Sequence, residues 1–156
     1  MTLRPANYKY QRKEDISLSA IGPVYAEIEM LNFHDLVLNR HGYLARTGIR
    51  AIKMRALANS GEMELVINRE LKELLDLRVL EERLVRFADE RMRQVEIVGP
   101  VEVRFKTQST IMTATVVSDA EEILLGRMTL AGLGIFVDPE SKQLLVVPER
   151  PIKRVA

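Results

Sequence analysis

The feature that most constrains this chain is a two-residue hydrophobic period that returns again and again between turn-forming residues. Val24, Ala26, Ile28 and Met30 alternate with Tyr25, Glu27 and Glu29. Ile52, Met54, Ala56 and Ala58 alternate with Lys53, Arg55 and Leu57, and Val101, Val103 and Phe105 with Glu102, Arg104 and Lys106. Side chains along a strand point to opposite faces in turn, so each run reads as a half-buried strand. Further strands are expected at 63–67, 80–87, 92–98, 111–117, 122–125, 135–137 and 144–147. Gly99-Pro100 is expected to break the chain between two of them, Thr107-Gln108 to turn it, and Asp138-Pro139-Glu140-Ser141 to turn it again. Many short strands with closely spaced turns predict an all-β barrel or sandwich-like domain.

One segment departs from that period. Asn68 can cap a helix, and Leu71, Leu74 and Leu75 then fall at helical spacing as a core-facing stripe ending near Leu77. One short α-helix is therefore expected, with at most a helical turn at 128–133. Segment 31–48 carries Asn32, Asn39, His41, Gly42 and Gly48 and reads as loop, with room for a hairpin.

A chain of 156 residues can bury a single core. Residues 1–20 are polar and charged and read as a loose extension or docking arm, 21–150 as the folded domain and 151–156 as a tail. Twenty-three basic against 22 acidic side chains leave a charge of +1, so no field of one sign invites nucleic acid. With no cysteine, disulfides and thiolate chemistry are excluded. No signal-like run opens the chain and no stretch is long enough to span a bilayer, so a cytoplasmic location with no membrane partner is expected.

The order of the pieces carries more than the fold class. A strand ends in Ala56-Leu57-Ala58-Asn59-Ser60-Gly61, and a short strand and a helix follow. A hairpin with its tip at Ala88-Asp89-Glu90 comes next, then further strands, Ile123-Leu124-Leu125-Gly126, and Val137-Asp138-Pro139. From about Val24 to Val147 this resembles the small bacterial members of the retroviral-type aspartic protease family. The resemblance implies a closed acid-protease-type β-barrel assembled as a two-fold homodimer. Each subunit then lends half of a site for a peptide or protein substrate. It implies that Asn59, Ser60 and Gly61 form the loop on the two-fold axis. It also implies that Ala88, Asp89 and Glu90 form the tip of a substrate-binding flap, and that Leu124, Leu125 and Gly126 brace the loop from below. No cofactor and no metal are implied.

Asn59 stands where that family has its catalytic aspartate. Two carboxylates close together share one proton, so one acts as acid and the other as base, a pattern for which aspartic proteases are the standard example. An amide matches the carboxyl in shape and still hydrogen-bonds, but it is no base. The expectation is a catalytically impaired, dimeric, peptide-binding relative. Two alternatives stay open: an active aspartic endopeptidase carrying an Asp-to-Asn substitution, and a purely structural or regulatory dimerisation module. A heterodimer with an Asp-bearing paralogue also fits the family arrangement. Glu62 replaces the family's usual Ala and Glu90 its frequent Gly. Three departures rather than one favour natural degeneration.

Other chemistry-bearing residues have simpler readings. His34 and His41 lack a third ligand of suitable spacing, so no metal site is expected. Asp119, Glu121 and Glu122 read as a solvated strand end. Arg83, Arg86, Arg91 and Arg93 flank the hairpin, where acidic neighbours neutralise them.

Overall fold

The computed structural model describes residues 23–138 and 143–146. The expected N-terminal arm, the expected turn at Asp138-Pro139-Glu140-Ser141 beyond Asp138, and the expected C-terminal tail lie outside them. The architecture is mostly β, with nine strands and three short α-helices among the described residues. β1 (Val24–Asn32) pairs antiparallel with β2 (Ala51–Ala58), from Val24 opposite Ala58 to Leu31 opposite Ala51. β3 (Leu65–Ile67) and the two-residue β7 (Leu124–Leu125) are short; β4 (Arg78–Arg86), β5 (Met92–Phe105) and β6 (Gln108–Val116) are long. β8 (Ile135–Asp138) and β9 (Gln143–Val146) form a separate antiparallel pair.

The seven-stranded sheet is mixed, in the order β1-β2-β7-β3-β6-β5-β4. β2 with β7 and β3 with β6 are parallel, and the other pairings are antiparallel. A further pairing of β1 with β5, from Glu29 opposite Arg104 to Asn32 opposite Val101, makes the hydrogen bonding ring-like. β4 is left outside the ring, bonded to β5 alone.

Inside the ring lie Met30, Leu65, Ile67, Val98, Val101, Val103 and Leu125, all fully buried. The alternation explains most of this. Val24, Ala26, Ile28 and Met30 face inward as expected, and Ala56 and Ala58 are small enough for close packing at the end of β2.

Several expectations are corrected. Gly99-Pro100 does not end a strand. β5 runs through it for 14 residues, with a register shift against β6 between Val98 and Val101. The bulge is where β5 exchanges neighbours: Gly99 still faces Arg78 of β4, whereas Val101 faces Asn32 of β1. The next turn comes one residue earlier than expected, at Lys106-Thr107.

There are also three helices rather than one. α1 (Phe33–Arg40) fills part of the segment read as loop. Asn32 caps it, accepting from Asp35 N at 3.1 Å, and donates its own amide to Leu75 O at 2.8 Å. Gly42, at φ +79°, follows the helix end and lets Tyr43 N reach Leu38 O at 2.9 Å, a glycine-terminated helix rather than a hairpin turn. Only Asp35 and Leu36 of α1 are buried, so the helical period is faint. α2 (Arg69–Leu74) is capped by Asn68 as expected, with Leu71 N donating to Asn68 Oδ1 at 2.9 Å. Leu71 and Leu75 pack in the core, but Leu74 is 55% exposed and drops out of the expected stripe. α3 (Arg127–Gly132) follows β7 directly.

Candidate functional site

The loop that starts at Asn59 is held from three sides. On entering it, Leu57 N donates to Ile123 O at 2.8 Å and Asn59 N donates to Leu125 O at 3.0 Å. These bonds belong to the parallel pairing of Leu57 with Leu124 and Ala58 with Leu125. On leaving it, the chain is pinned by the start of α3: Arg127 N donates to Glu62 O at 2.8 Å and Met128 N to Met63 O at 3.1 Å. Gly126 sits at the crossing. A Cβ there would lie 2.3 Å from Glu64 O and 2.6 Å from the Met63 carbonyl carbon. No side chain fits, so glycine is dictated by the close approach of backbone.

Within the loop the side chains turn back on their own backbone. Asn59 Oδ1 accepts from Gly61 N at 3.0 Å, leaving the Nδ2 hydrogens without a partner among the described residues. Glu62 N donates to Asn59 O at 3.1 Å. Ser60 is 8% exposed. It lines a cavity of about 110 Å³ with Arg127, Leu130, Ile135 and Phe136. Glu62 Oε1 accepts from Met63 N at 3.1 Å and Glu64 N at 3.3 Å, so one oxygen of its carboxylate is turned onto the loop's own backbone. The loop can offer amide and hydroxyl hydrogen bonds from Asn59 and Ser60, and position 59 itself carries no carboxylate.

The structure therefore brings Asn59, Ser60 and Gly61 together with Leu124, Leu125 and Gly126. It does not bring in the hairpin tip. No hydrogen bond or ion pair joins Ala88, Asp89 or Glu90 to the Asn59 loop among the described residues. The tip is a turn in its own right. Phe87 N donates to Arg91 O at 2.9 Å, Arg91 N donates to Asp89 Oδ1 at 3.1 Å, and Glu90 sits at φ +68°. Met63 and Met92 are 46% and 49% exposed.

What the sequence reading missed is Glu64. Its carboxylate accepts from Thr115 of β6 and stands 3.4 Å from Arg83 Nη1 of β4, which also pairs with Glu81. It links the loop's outgoing strand to the hairpin. The available signal was faint: one acid between Met63 and Leu65 at the edge of an apolar run.

Several other charges around the site are paired. Tyr25, opposite Leu57, donates to Glu122 at 2.5 Å, and this bond to a carboxylate holds the phenol above its usual range. Arg55 lies 4.1 Å from the same ring. The hairpin arginines meet acids, Arg86 with Glu90, Arg91 with Asp89 and Arg93 with Asp119. The bond from Arg93 keeps the Asp119 carboxyl below its usual range. Among the described residues no group of three or more His, Asp or Glu could hold a metal ion, and no helix is long and apolar enough to cross a membrane. No protein-family model matches the chain, and no curated protein matches it.

Proposed function

We propose that this chain is a retroviral-type aspartic-protease-like protein that has lost its catalytic carboxylate and binds peptides without cutting them. The observation that carries the reading is the grip on the Asn59 loop. A strand ends in Asn-Ser-Gly, a parallel Leu124-Leu125 strand braces it, and Gly126 allows the return of the backbone. In this reading the ring of strands is the acid-protease-type barrel. Two subunits meet through their Asn59 loops on a two-fold axis, and the β4–β5 hairpin of each serves as a flap over an extended peptide. A symmetric pairing is what lets one short chain build a two-sided site.

The chemistry follows from the amide. A dyad of two asparagines has no shared proton and no base to activate water, so hydrolysis stops at binding. The test sets the protein beside its Asn59→Asp variant on a mixed peptide library from acid to neutral pH, with the mass of each in solution measured by sedimentation. The expected result is a dimer in both cases, with cleavage by the variant alone. Two monomers and no cleavage by either protein would overturn the reading.

A further inference from the structure

On the side of the sheet where β1 exchanges β2 for β5, a cavity of about 420 Å³ opens between the strands and α1. Its base is apolar: Leu31 and Leu36 are 4% and 8% exposed, with Ile49 beside them. Its rim carries three basic groups, Arg40 at the end of α1, Arg46 just beyond it and Arg104 of β5, and one acid, Glu29 of β1, lines it as well. The three arginines are not equivalent. Arg104 is engaged, with Nη1 3.6 Å from Glu29 and Nε bonded to Glu102 at 2.5 Å. Arg40 and Arg46 have no carboxylate within ion-pair distance among the described residues. Arg40 stands only near the Phe33 ring, 6.0 Å from its centre.

We propose that this cavity is a binding site for a small organic anion, one carboxylate or phosphate group on a compact apolar body. The volume falls in the range of small-molecule pockets, which are mostly apolar with a few polar groups that orient the ligand. Guanidinium groups present forked donors that match a carboxylate or phosphate on two oxygens at once. Two such groups above leucine side chains select for charge at one end of the ligand and for hydrocarbon at the other. The inference does not depend on the Asn59 loop, which lies at the opposite end of β2: Ala51 lines the cavity, whereas Ala58 leads into the loop.

The experiment titrates the full chain with phenyl phosphate, benzoate, inorganic phosphate and benzyl alcohol, following the methyl signals of Leu36 and Ile49 by NMR. Phenyl phosphate or benzoate should give saturable shifts at those methyls. Inorganic phosphate and benzyl alcohol should each bind at least ~10-fold more weakly, since each lacks one half of the match. An Arg40→Gln, Arg46→Gln double variant should lose at least ~10-fold in affinity with an unchanged unfolding midpoint, while Arg91→Gln on the hairpin tip should bind as before. Whichever of the two aromatic anions binds more tightly identifies the preferred head group. Absence of saturation with both overturns the proposal. So does undiminished binding by the double variant, or inorganic phosphate matching phenyl phosphate.

Discussion

Leu125 and Leu84 are both leucines on strands of one sheet, yet Leu125 is fully buried inside the ring and Leu84 is 65% exposed on β4. The contrast extends to their surroundings. The ring strands share one apolar interior, whereas eight of the nine residues of β4 are exposed and the other half-buried. What holds β4 is a single antiparallel ladder to β5 and a set of ion pairs, including Arg83 with Glu64. Exposed ion pairs contribute little, typically under about 1 kcal/mol each. The ring is therefore the rigid part and the hairpin the part that opens at low cost.

Truncation separates the two regions most sharply. Leu125→Ala should cost about 3–4 kcal/mol in urea unfolding, through lost burial and the cavity left behind. Leu84→Ala should stay within about 0.5 kcal/mol. Similar losses at both positions would mean that β4 is buried in solution, as a flap closed against another subunit would be. Next in size is Gly126→Ala. The added methyl meets the backbone of Glu62, Met63 and Glu64, so a destabilisation of about 2–3 kcal/mol is expected, read as a drop in the thermal midpoint. A neutral result would show that the clamp around the loop is loose.

The hairpin can be strengthened instead. Glu90 sits at φ +68°, a left-handed conformation that costs an ordinary residue about 1 kcal/mol and glycine almost none. Glu90→Gly should raise stability by up to about 1 kcal/mol, with slower amide exchange at Phe87 and Arg91. No gain would mean that the pairing of Glu90 with Arg86 outweighs the backbone cost. A further modest effect is expected where β5 meets α2. Lys72 donates to Glu96 at 2.8 Å, and this bond, helped by Arg69, keeps the Glu96 carboxyl below its usual range. A carboxyl with a lowered folded-state value stabilises the protein above its unfolded value, and that stabilisation is lost as pH falls through the folded one. Lys72→Met should then cost about 0.5–1 kcal/mol at pH 7, with the difference from the parent protein fading below about pH 4. A pH-independent difference would assign the loss to packing of the lysine stem.

Much of this was legible in the residues, for a definite reason. Where one face of a strand is buried and the other wet, as at Val24–Met30, the period is written directly into the chain. The hairpin tip was also clear, since Ala88 to Arg91 interrupts two strand-forming runs, although β4 has no buried face. What stayed hidden was whatever does not alternate. β7 is two residues long and paired on both sides, so its role shows only in three dimensions. α1 buries just two of its residues, and its best markers, Asn32 and Gly42, also suit a loop. The bulge at Gly99-Pro100 looked like an end because glycine and proline usually punctuate, yet here they redirect a strand that continues. In the candidate site the pairing of the two tripeptides was readable from their order. Glu64 was not, because a lone acid carries no period.

The grip of β7 on the Asn59 loop has a consequence for the order in which the molecule forms. The β4–β5 and β5–β6 ladders join neighbours in the chain and close small loops, which is entropically cheap and fast. The bond from Asn59 N to Leu125 O joins segments with α2 and three long strands between them. Chains emerge from the ribosome N-terminal end first. The Asn59 loop is thus made early but has nothing to hold it until Gly126 has followed. The residues of this loop are among the last to acquire their shape.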